Sequence, residues 1–177
     1  MIRPLMPDDA GELAALLTAN RAFLAPYEPE RPEEYFTPAG QRERLARLHE
    51  DSRLFAILDG GAIAGTISLT NIVRGALQSA NAGYWVAEDR NGRGLATGAV
   101  GALLVFAFGD AGLHRVEAGT LVDNVASQRV LERNGFERIG LARRYLLIAG
   151  EWRDHVLFQR VADEPVRATA DRRRRRR

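Results

Sequence analysis

The order of strands and helices between residues 53 and 122 constrains the fold more than any other feature. The segments "RLFAIL" and "AIAGTISLTNIV" flank "DGG", which predicts a β-hairpin, and "SANAGYWV" predicts a third antiparallel strand. The helical segment "LATGAVGALLVFAFGDAG" separates that strand from "RVEAGTLV", and such a crossover makes its two strands parallel. The sequence therefore predicts an α/β (α+β) fold with a mixed, mostly antiparallel twisted sheet.

The rest of the chain completes a sheet of about six to seven strands flanked by about four helices. "MIRPL" predicts a short first strand and "PDDAGELAALLTAN" a helix, while Thr37 as N-cap and Pro38 begin a second helix. Residues 21–36 hold three prolines and four aromatic residues, which predict an irregular loop. "NVASQRVLERNG" predicts a short helix, and the segments on either side of Gly150 predict a closing two-stranded ribbon.

The charge of the chain is concentrated at its end. All 25 basic residues are arginine, and the stretch from Asp163 onward has seven arginines against three acids. That stretch carries +4, which leaves −2 for residues 1–162 of a chain whose total is +2. We therefore expect one domain over 1–162 and a disordered arginine-rich tail over 163–177.

Several classes of protein are excluded or disfavoured. The chain has no cysteine, so disulfides and thiolate metal sites are excluded. The first residues do not form a signal peptide, and the longest apolar run, residues 102–108, is too short to span a bilayer. The three histidines show no metal-binding spacing. We expect a cytoplasmic protein without membrane or metal, and either a monomer or a homodimer.

Glycine and arginine at the junction of a strand and a helix predict an anion site. "NGRGLAT" at 91–97 directly follows the third strand and opens the long helix. The first N–H groups of a helix have no partner within the helix and carry partial positive charge. Glycines allow that backbone to approach a bulky anion, and Arg93 adds a positive charge. This chemistry suits a phosphate or pyrophosphate.

Three phosphate-binding designs and an ordinary glycine-rich turn compete for this junction. A P-loop requires a lysine, which the chain lacks, and a dinucleotide fingerprint requires a glycine where Thr97 stands. "NGRGLA" resembles the acetyl-coenzyme A site of the GCN5-related N-acetyltransferases (GNAT), with Gly94 and Ala96 at the small-residue positions. Asn91 stands where that family usually has Gln or Arg.

A second motif favours the same family. "LVDNVASQRVLERNGFERIG" at 121–140 resembles the next GNAT segment, and it follows the first motif after one helix and one strand. "GEWRDHVLF" is similar to the closing strand of the subfamily that acetylates the N-termini of ribosomal proteins, the ribosomal-protein-alanine N-acetyltransferases. The resemblance covers roughly residues 2–161 and implies the GNAT fold, acetyl-CoA as cosubstrate and direct acyl transfer to an amine.

The resemblance also implies which residues act. It places the thioester beside "GYWV", where the backbone N–H of Val86 would bind the carbonyl oxygen, and it makes Ser127 the group that protonates the leaving thiolate. An ordinary first-turn serine is the alternative for Ser127, and helix capping is compatible with a cofactor role for Asn124. The implied cofactor-binding residues are Trp85, Val86, Gly92, Arg93, Gly94, Leu95, Ala96, Thr97 and Asn124.

The general base is less well defined. The strand position where related enzymes often carry a glutamate holds Asn81 or Ala82 here. Glu117 is the nearest carboxylate on the next strand and is the candidate base. A structural ion pair of Glu117 with an arginine, and a water that relays the proton to solvent, are both alternatives.

The leading function is an N-acetyltransferase that acts on a primary amine. The acceptor expected from the subfamily is the N-terminal α-amine of a ribosomal or other protein, with a small amine or antibiotic as an alternative. A non-catalytic acyl-CoA-binding regulatory module is the other class. Four aromatic residues would form the acceptor wall. Those four residues are Phe23, Tyr27, Tyr35 and Phe36. For the arginine tail, contact with the ribosome or another RNA-rich partner and a solvated tail without a role are the two alternatives.

Overall fold

The computed structural model describes residues 1–48 and 51–163, which form seven strands and five α-helices. The expected fold class and strand number are confirmed, with one helix more than expected; the tail sequence from Arg172 to Arg177 lies outside the described residues. In chain order the elements are β1 (Ile2–Pro4), α1 (Ala10–Ala19), α2 (Arg21–Leu24), α3 (Pro38–Ala46), β2 (Arg53–Asp59), β3 (Ala62–Val73), β4 (Ser79–Val86), α4 (Leu95–Phe108), β5 (Arg115–Leu121), α5 (Val125–Arg133), β6 (Glu137–Ile148) and β7 (Glu151–Val161).

The segment 21–36 is more ordered than the sequence suggested. It begins with α2 and ends with a 3₁₀ turn at Glu33–Phe36, so the expectation of an irregular loop is wrong at both ends. The three prolines lie between these helical turns and interrupt neither of them. Leu24 is buried, and the Tyr35 and Phe36 rings meet edge to face at 5.4 Å. Tertiary packing of apolar side chains therefore orders a stretch that proline content alone describes as loop.

The start of α3 agrees with its local signal. The Thr37 hydroxyl accepts a hydrogen bond from the Gly40 N–H at 3.1 Å, and Pro38 occupies the first helical position. Both features satisfy or remove N–H groups that a helix start leaves unpaired. The predicted N-cap is confirmed.

The sheet runs in the order β1-β2-β3-β4-β5-β7-β6. Every neighbouring pair is antiparallel except β4 and β5, which are parallel because α4 carries the chain back across the sheet between them. The expectation of a mixed, mostly antiparallel sheet is therefore confirmed.

Helices cover the two faces of the sheet unevenly. One face carries α4 and α5 over the main core, in which Leu103, Val116 and Phe158 are buried. The other face carries α1 and α3 over β1–β3, where Leu13 and Leu17 are buried. Among the helices of residues 1–48 and 51–163, none combines the length and the hydropathy that crossing a membrane requires.

The two parallel strands separate soon after they meet. They share only three rungs, which end at the pair Asn81 and Glu117. Beyond this point β4 stays paired with β3 as far as Val86, while β5 stays paired with β7 as far as Leu121. The sheet therefore has a gap, which we call the fork, between residues 82–86 of β4 and 118–121 of β5.

Candidate active site

A cavity of about 580 Å³ lies at the fork, between the start of α4 and one side of α5. The structure brings all the sequence-predicted site residues to this cavity except Arg93 and Glu117. The residues that line it are Phe23, Leu24, Tyr27, Tyr84, Trp85, Val86, Arg90, Asn91, Gly92, Gly94, Leu95, Ala96, Thr97, Asn124, Ala126, Ser127, Arg129, Val130 and Arg133.

The turn before α4 is shaped to receive an anion. Gly92 and Gly94 have φ angles of +74° and +77°, a left-handed conformation that favours glycine. No atom lies within 4 Å of a side chain placed at either glycine, so both open onto free space. Gly94 caps α4 without a side chain, which leaves the first backbone N–H groups of α4, at Leu95, Ala96 and Thr97, available to an outside acceptor.

Asp59, at the end of β2, holds this turn in place. Its carboxylate lies 2.9 Å from the Arg90 guanidinium and 2.7 Å from that of Arg93. From the sequence we expected Arg93 to contact the bound anion. Its guanidinium instead forms an ion pair with Asp59, and Arg93 does not line the cavity. In this structure the positive charge of Arg93 fastens the turn to the β2–β3 hairpin.

Asn20 fixes the other end of the same turn. It is 7% exposed, its amide NH₂ donates to the Leu16 carbonyl at 2.9 Å, and its oxygen accepts from the Glu88 N–H at 2.8 Å. A buried amide with both ends satisfied is a rigid link. The end of α1 and the chain just after β4 are therefore held together.

The backbone of β4 offers an N–H group to the fork. The Ala87 N–H donates to the Ala64 carbonyl of β3 at 2.8 Å. Because alternate residues of a strand direct their backbone groups to opposite neighbours, those of Val86 point away from β3. On that side β5 has already separated, so the Val86 N–H faces the cavity that Val86 lines.

The start of α5 places two hydroxyl groups together. The Asn124 side chain accepts from the Ser127 N–H at 3.0 Å, so the predicted cap is confirmed. The Ser127 hydroxyl is 2.9 Å from the Tyr84 hydroxyl, and the Tyr84 hydroxyl is also 3.1 Å from the Ser127 carbonyl, to which it can donate. Burial raises the pKa of the Tyr84 phenol to about 12, and its hydrogen bond with Ser127 offsets this only in part. Tyr84 therefore keeps its proton at neutral pH.

Glu117 lies at the fork but outside the cavity lining. Its side chain is 42% exposed and is 3.6 Å from the Arg115 guanidinium. Side chains two residues apart on a strand share a face, so Glu117 and Gly119 lie on the face opposite the buried Val116 and Ala118. The structural ion pair that the sequence left open is present, with Arg115 as the partner.

Two glycines leave the fork without side chains on that face. Gly83 on β4 and Gly119 on β5 are both exposed, and each follows the last shared rung by two residues. We call this opening the glycine notch. It lies on the face that α4 and α5 do not cover.

The expected acceptor wall is divided. Phe23 and Tyr27 line the cavity, whereas Tyr35 and Phe36 pack against each other away from it. The acids of the same segment are partly neutralised, since Glu33 pairs with Arg21 at 2.5 Å and Glu28 lies 3.9 Å from Arg31. The pKa of Glu28 is raised by burial, against the opposing effect of nearby arginines. Two of the four acids of this segment are therefore engaged with arginines.

Metal ligands are not grouped in the part of the chain that the structure describes. Residues 1–48 and 51–163 contain no cluster of three or more His, Asp or Glu side chains that could hold a metal ion. His155 is buried on β7, with its Nδ1 3.1 Å from the Arg153 carbonyl oxygen.

Comparison with known proteins identifies the family. A family model described as an acetyltransferase (GNAT) domain matches residues 1–137. This chain belongs to the GNAT family. The enzyme is 41% identical over 162 residues to a probable N-acetyltransferase, YjcK, of Bacillus subtilis, which covers 87% of this chain and 89% of the relative.

Two further relatives of this GNAT enzyme are informative. It is 35% identical over 164 residues to the ribosomal protein uS5-alanine N-acetyltransferase of Escherichia coli, covering 89% of this chain and 84% of that one. It is also similar to the solved structure of Mycobacterium smegmatis RimJ in complex with CoA-disulfide, with a TM-score of 0.87, 32% identity and coverage of 93% and 84%. The family resemblance seen in the sequence is confirmed, and the enzyme is an acyl-CoA-dependent N-acetyltransferase that uses acetyl-CoA.

Sequence reasoning missed three positioning residues. Asp59 follows a strand and precedes two glycines, so its sequence context indicates only a turn. Asn20 ends a helix, where asparagine is common for local reasons. Tyr84 lies in a quoted strand, but its partner Ser127 is 43 residues away in sequence. The one available signal was the strand alternation that puts Tyr84 on the same face as the buried Ala82 and Val86.

Thr97→Asp tests the anion site at the start of α4. An acid in the first turn of a helix stabilises it by about 0.3–1 kcal/mol, whereas a carboxylate here repels a bound pyrophosphate. We expect an unchanged or slightly higher melting temperature together with a loss of CoA affinity of about tenfold or more, measured by calorimetry. Thr97→Asn is the uncharged control, because asparagine has nearly the same shape as aspartate. Equal CoA affinity for the two variants would show that the phosphates bind elsewhere.

Proposed function

We propose that this enzyme acetylates the N-terminal α-amine of a protein, with a ribosomal protein as the preferred acceptor. The observation that carries the proposal is the fork, because a gap between two strands would let cofactor and acceptor reach one reaction centre from different sides. The start of α4 offers backbone donors on the side of α4 and α5, and the glycine notch opens on the other face. An extended chain end can enter the notch from a large protein while the cofactor occupies the opposite side.

The residues at the fork offer each part of acetyl-CoA the kind of contact that it requires. The cofactor supplies an activated acetyl thioester. The N–H groups at Leu95, Ala96 and Thr97 would hold the pyrophosphate, and the Val86 N–H would bind the thioester carbonyl oxygen and stabilise the negative charge that develops there. Trp85 and Asn124 would border the arm between these points.

Two protons must move for the transfer to be complete. The acceptor nitrogen forms a bond to the carbonyl carbon and loses a proton, while the carbon–sulfur bond breaks and the sulfur gains one. The Tyr84–Ser127 hydroxyl pair lies on the cavity side, where the sulfur departs. We assign the sulfur's proton to Ser127, which regains a proton from solvent, with Tyr84 positioning the Ser127 hydroxyl.

On the acceptor side Glu117 remains the candidate base. It shares a face with Gly119 and lies at the last rung before the glycine notch. A carboxylate there can accept the amine proton directly or through one water molecule. Its ion pair with Arg115 keeps the carboxylate close to the fork.

The cellular setting follows from the proposed acceptor. An enzyme that modifies ribosomal proteins works in the cytoplasm. The arginine-rich sequence at residues 172–177 offers several positive charges to RNA phosphates, which would raise the local concentration of a ribosomal acceptor.

Ser127→Ala is expected to lower turnover by about 10²–10⁴-fold, because the leaving sulfur then lacks its acid. CoA affinity should change little. Tyr84→Phe, which keeps the ring in the core, should give a smaller decrease. The pKa of Tyr84 is about 12, so its hydroxyl stays protonated below that pH. Deprotonation of Tyr84 should therefore not lower the turnover of the wild-type enzyme up to about pH 10. Wild-type turnover in Ser127→Ala would exclude the role.

Gly119→Val tests the entrance for the acceptor. A side chain here makes only ordinary contacts, the nearest being 3.5 Å to Leu157, and valine suits a strand, so the fold should tolerate it. We expect kcat/KM for an N-terminal peptide to fall by about tenfold or more, with unchanged CoA affinity. Gly140→Val, at a strand glycine with open space around it, is the matched control. A Gly119→Val enzyme as efficient as this control would place the acceptor elsewhere.

Truncation after Ala162 tests the arginine tail. Activity on a short peptide should remain, because the described domain ends near this residue. Co-sedimentation with ribosomes at low salt should weaken, and the difference from the full chain should disappear as salt rises. If both forms co-sediment equally across the salt series, the tail is not a tether.

A further inference from the structure

Three arginines line the cavity, and they differ in what they already bind. Arg90 is paired with Asp59 at 2.9 Å and with Asp89 at 3.4 Å. Arg129 and Arg133 also line the cavity, but neither forms an ion pair or a side-chain hydrogen bond within residues 1–48 and 51–163. These two guanidinium groups are therefore the uncommitted positive charges of the cavity wall.

Their spacing puts both charges on one side of α5. Residues four apart on a helix lie one turn apart on the same face. The end of α5 is fixed beside the start of α4, since the Asn134 amide NH₂ donates to the Thr97 carbonyl at 3.2 Å. Arg133 directly precedes Asn134, so the arginine face of α5 runs next to the anion site of the α4 turn.

Coenzyme A carries phosphate at two places. The pyrophosphate is matched by the backbone N–H groups of the α4 turn, which leaves the 3′-phosphate of the adjoining ribose without a counterpart. Two free guanidinium groups suit a phosphate dianion, because each can donate two parallel hydrogen bonds. We propose that Arg129 and Arg133 form a second anion subsite, which binds the ribose 3′-phosphate and makes the enzyme select CoA over 3′-dephospho-CoA.

The subsite acts on affinity and leaves the chemical step alone. The 3′-phosphate takes no part in acyl transfer, and Arg129 and Arg133 lie on the turns of α5 that follow Ser127. Because both side chains are exposed, water and salt screen the interaction, and the expected selectivity is about tenfold.

The test compares two ligands that differ by one phosphate group. Calorimetry with CoA and with 3′-dephospho-CoA should show that the wild-type enzyme binds CoA about tenfold more tightly. The Arg129→Gln, Arg133→Gln double variant should bind CoA as weakly as it binds 3′-dephospho-CoA, while its affinity for 3′-dephospho-CoA equals that of the wild type.

Arg138→Gln is the control of matched chemistry, since it removes an exposed arginine of β6 that does not line the cavity. It should keep the wild-type preference for CoA. Equal affinity of the wild-type enzyme for the two ligands would overturn the proposal without any variant. An equal loss for both ligands in the double variant would also overturn it, because the arginines would then act on another part of the cofactor. If the wild-type enzyme did not bind CoA at all, the assignment of CoA as the cofactor would be wrong, and not only the assignment of this subsite.

Discussion

The separation of β4 from β5 after three shared rungs is the constraint on which the site depends. Where two parallel strands stay paired, their backbone groups are used up by each other. Here the strands diverge after Asn81 and Glu117, so each follows its antiparallel neighbour and leaves backbone groups facing a gap. On the β4 side of the gap the Val86 N–H faces the cavity.

The fork is useful only because the segments around it are held in position. Each fastening is a polar contact that joins a turn or helix end to a distant element. Asn20 holds the chain after β4, Asp59 holds the glycine turn, and Asn134 holds α5 against α4. None of these three side chains lines the cavity. They replace the regular hydrogen bonds that irregular backbone cannot make for itself.

The predictions that succeeded rest on signals within a few residues of one another. The Thr37 cap, the "DGG" hairpin and the glycines before α4 each have a local physical cause, and two ordered motifs were enough to indicate the family. What was missed depends on contacts between distant parts of the chain. Asn20 and Glu88 are 68 residues apart, Tyr84 and Ser127 are 43 apart, and Arg93 has its partner on β2. The order in 21–36 was missed for the same reason, since burial of Leu24 decides it.

The sequence contains no lysine, and this has a consequence for an enzyme that binds a reactive thioester. Arg90, Arg129 and Arg133 line the cavity in which we propose that the acetyl donor binds. A guanidinium stays protonated under all working conditions and is a poor nucleophile. A lysine at the same place loses its proton readily when water is excluded, and its free amine would compete with the acceptor for the acetyl group. With arginine in place of lysine throughout the sequence, the cavity can attract phosphate without a side-chain amine that could be acetylated.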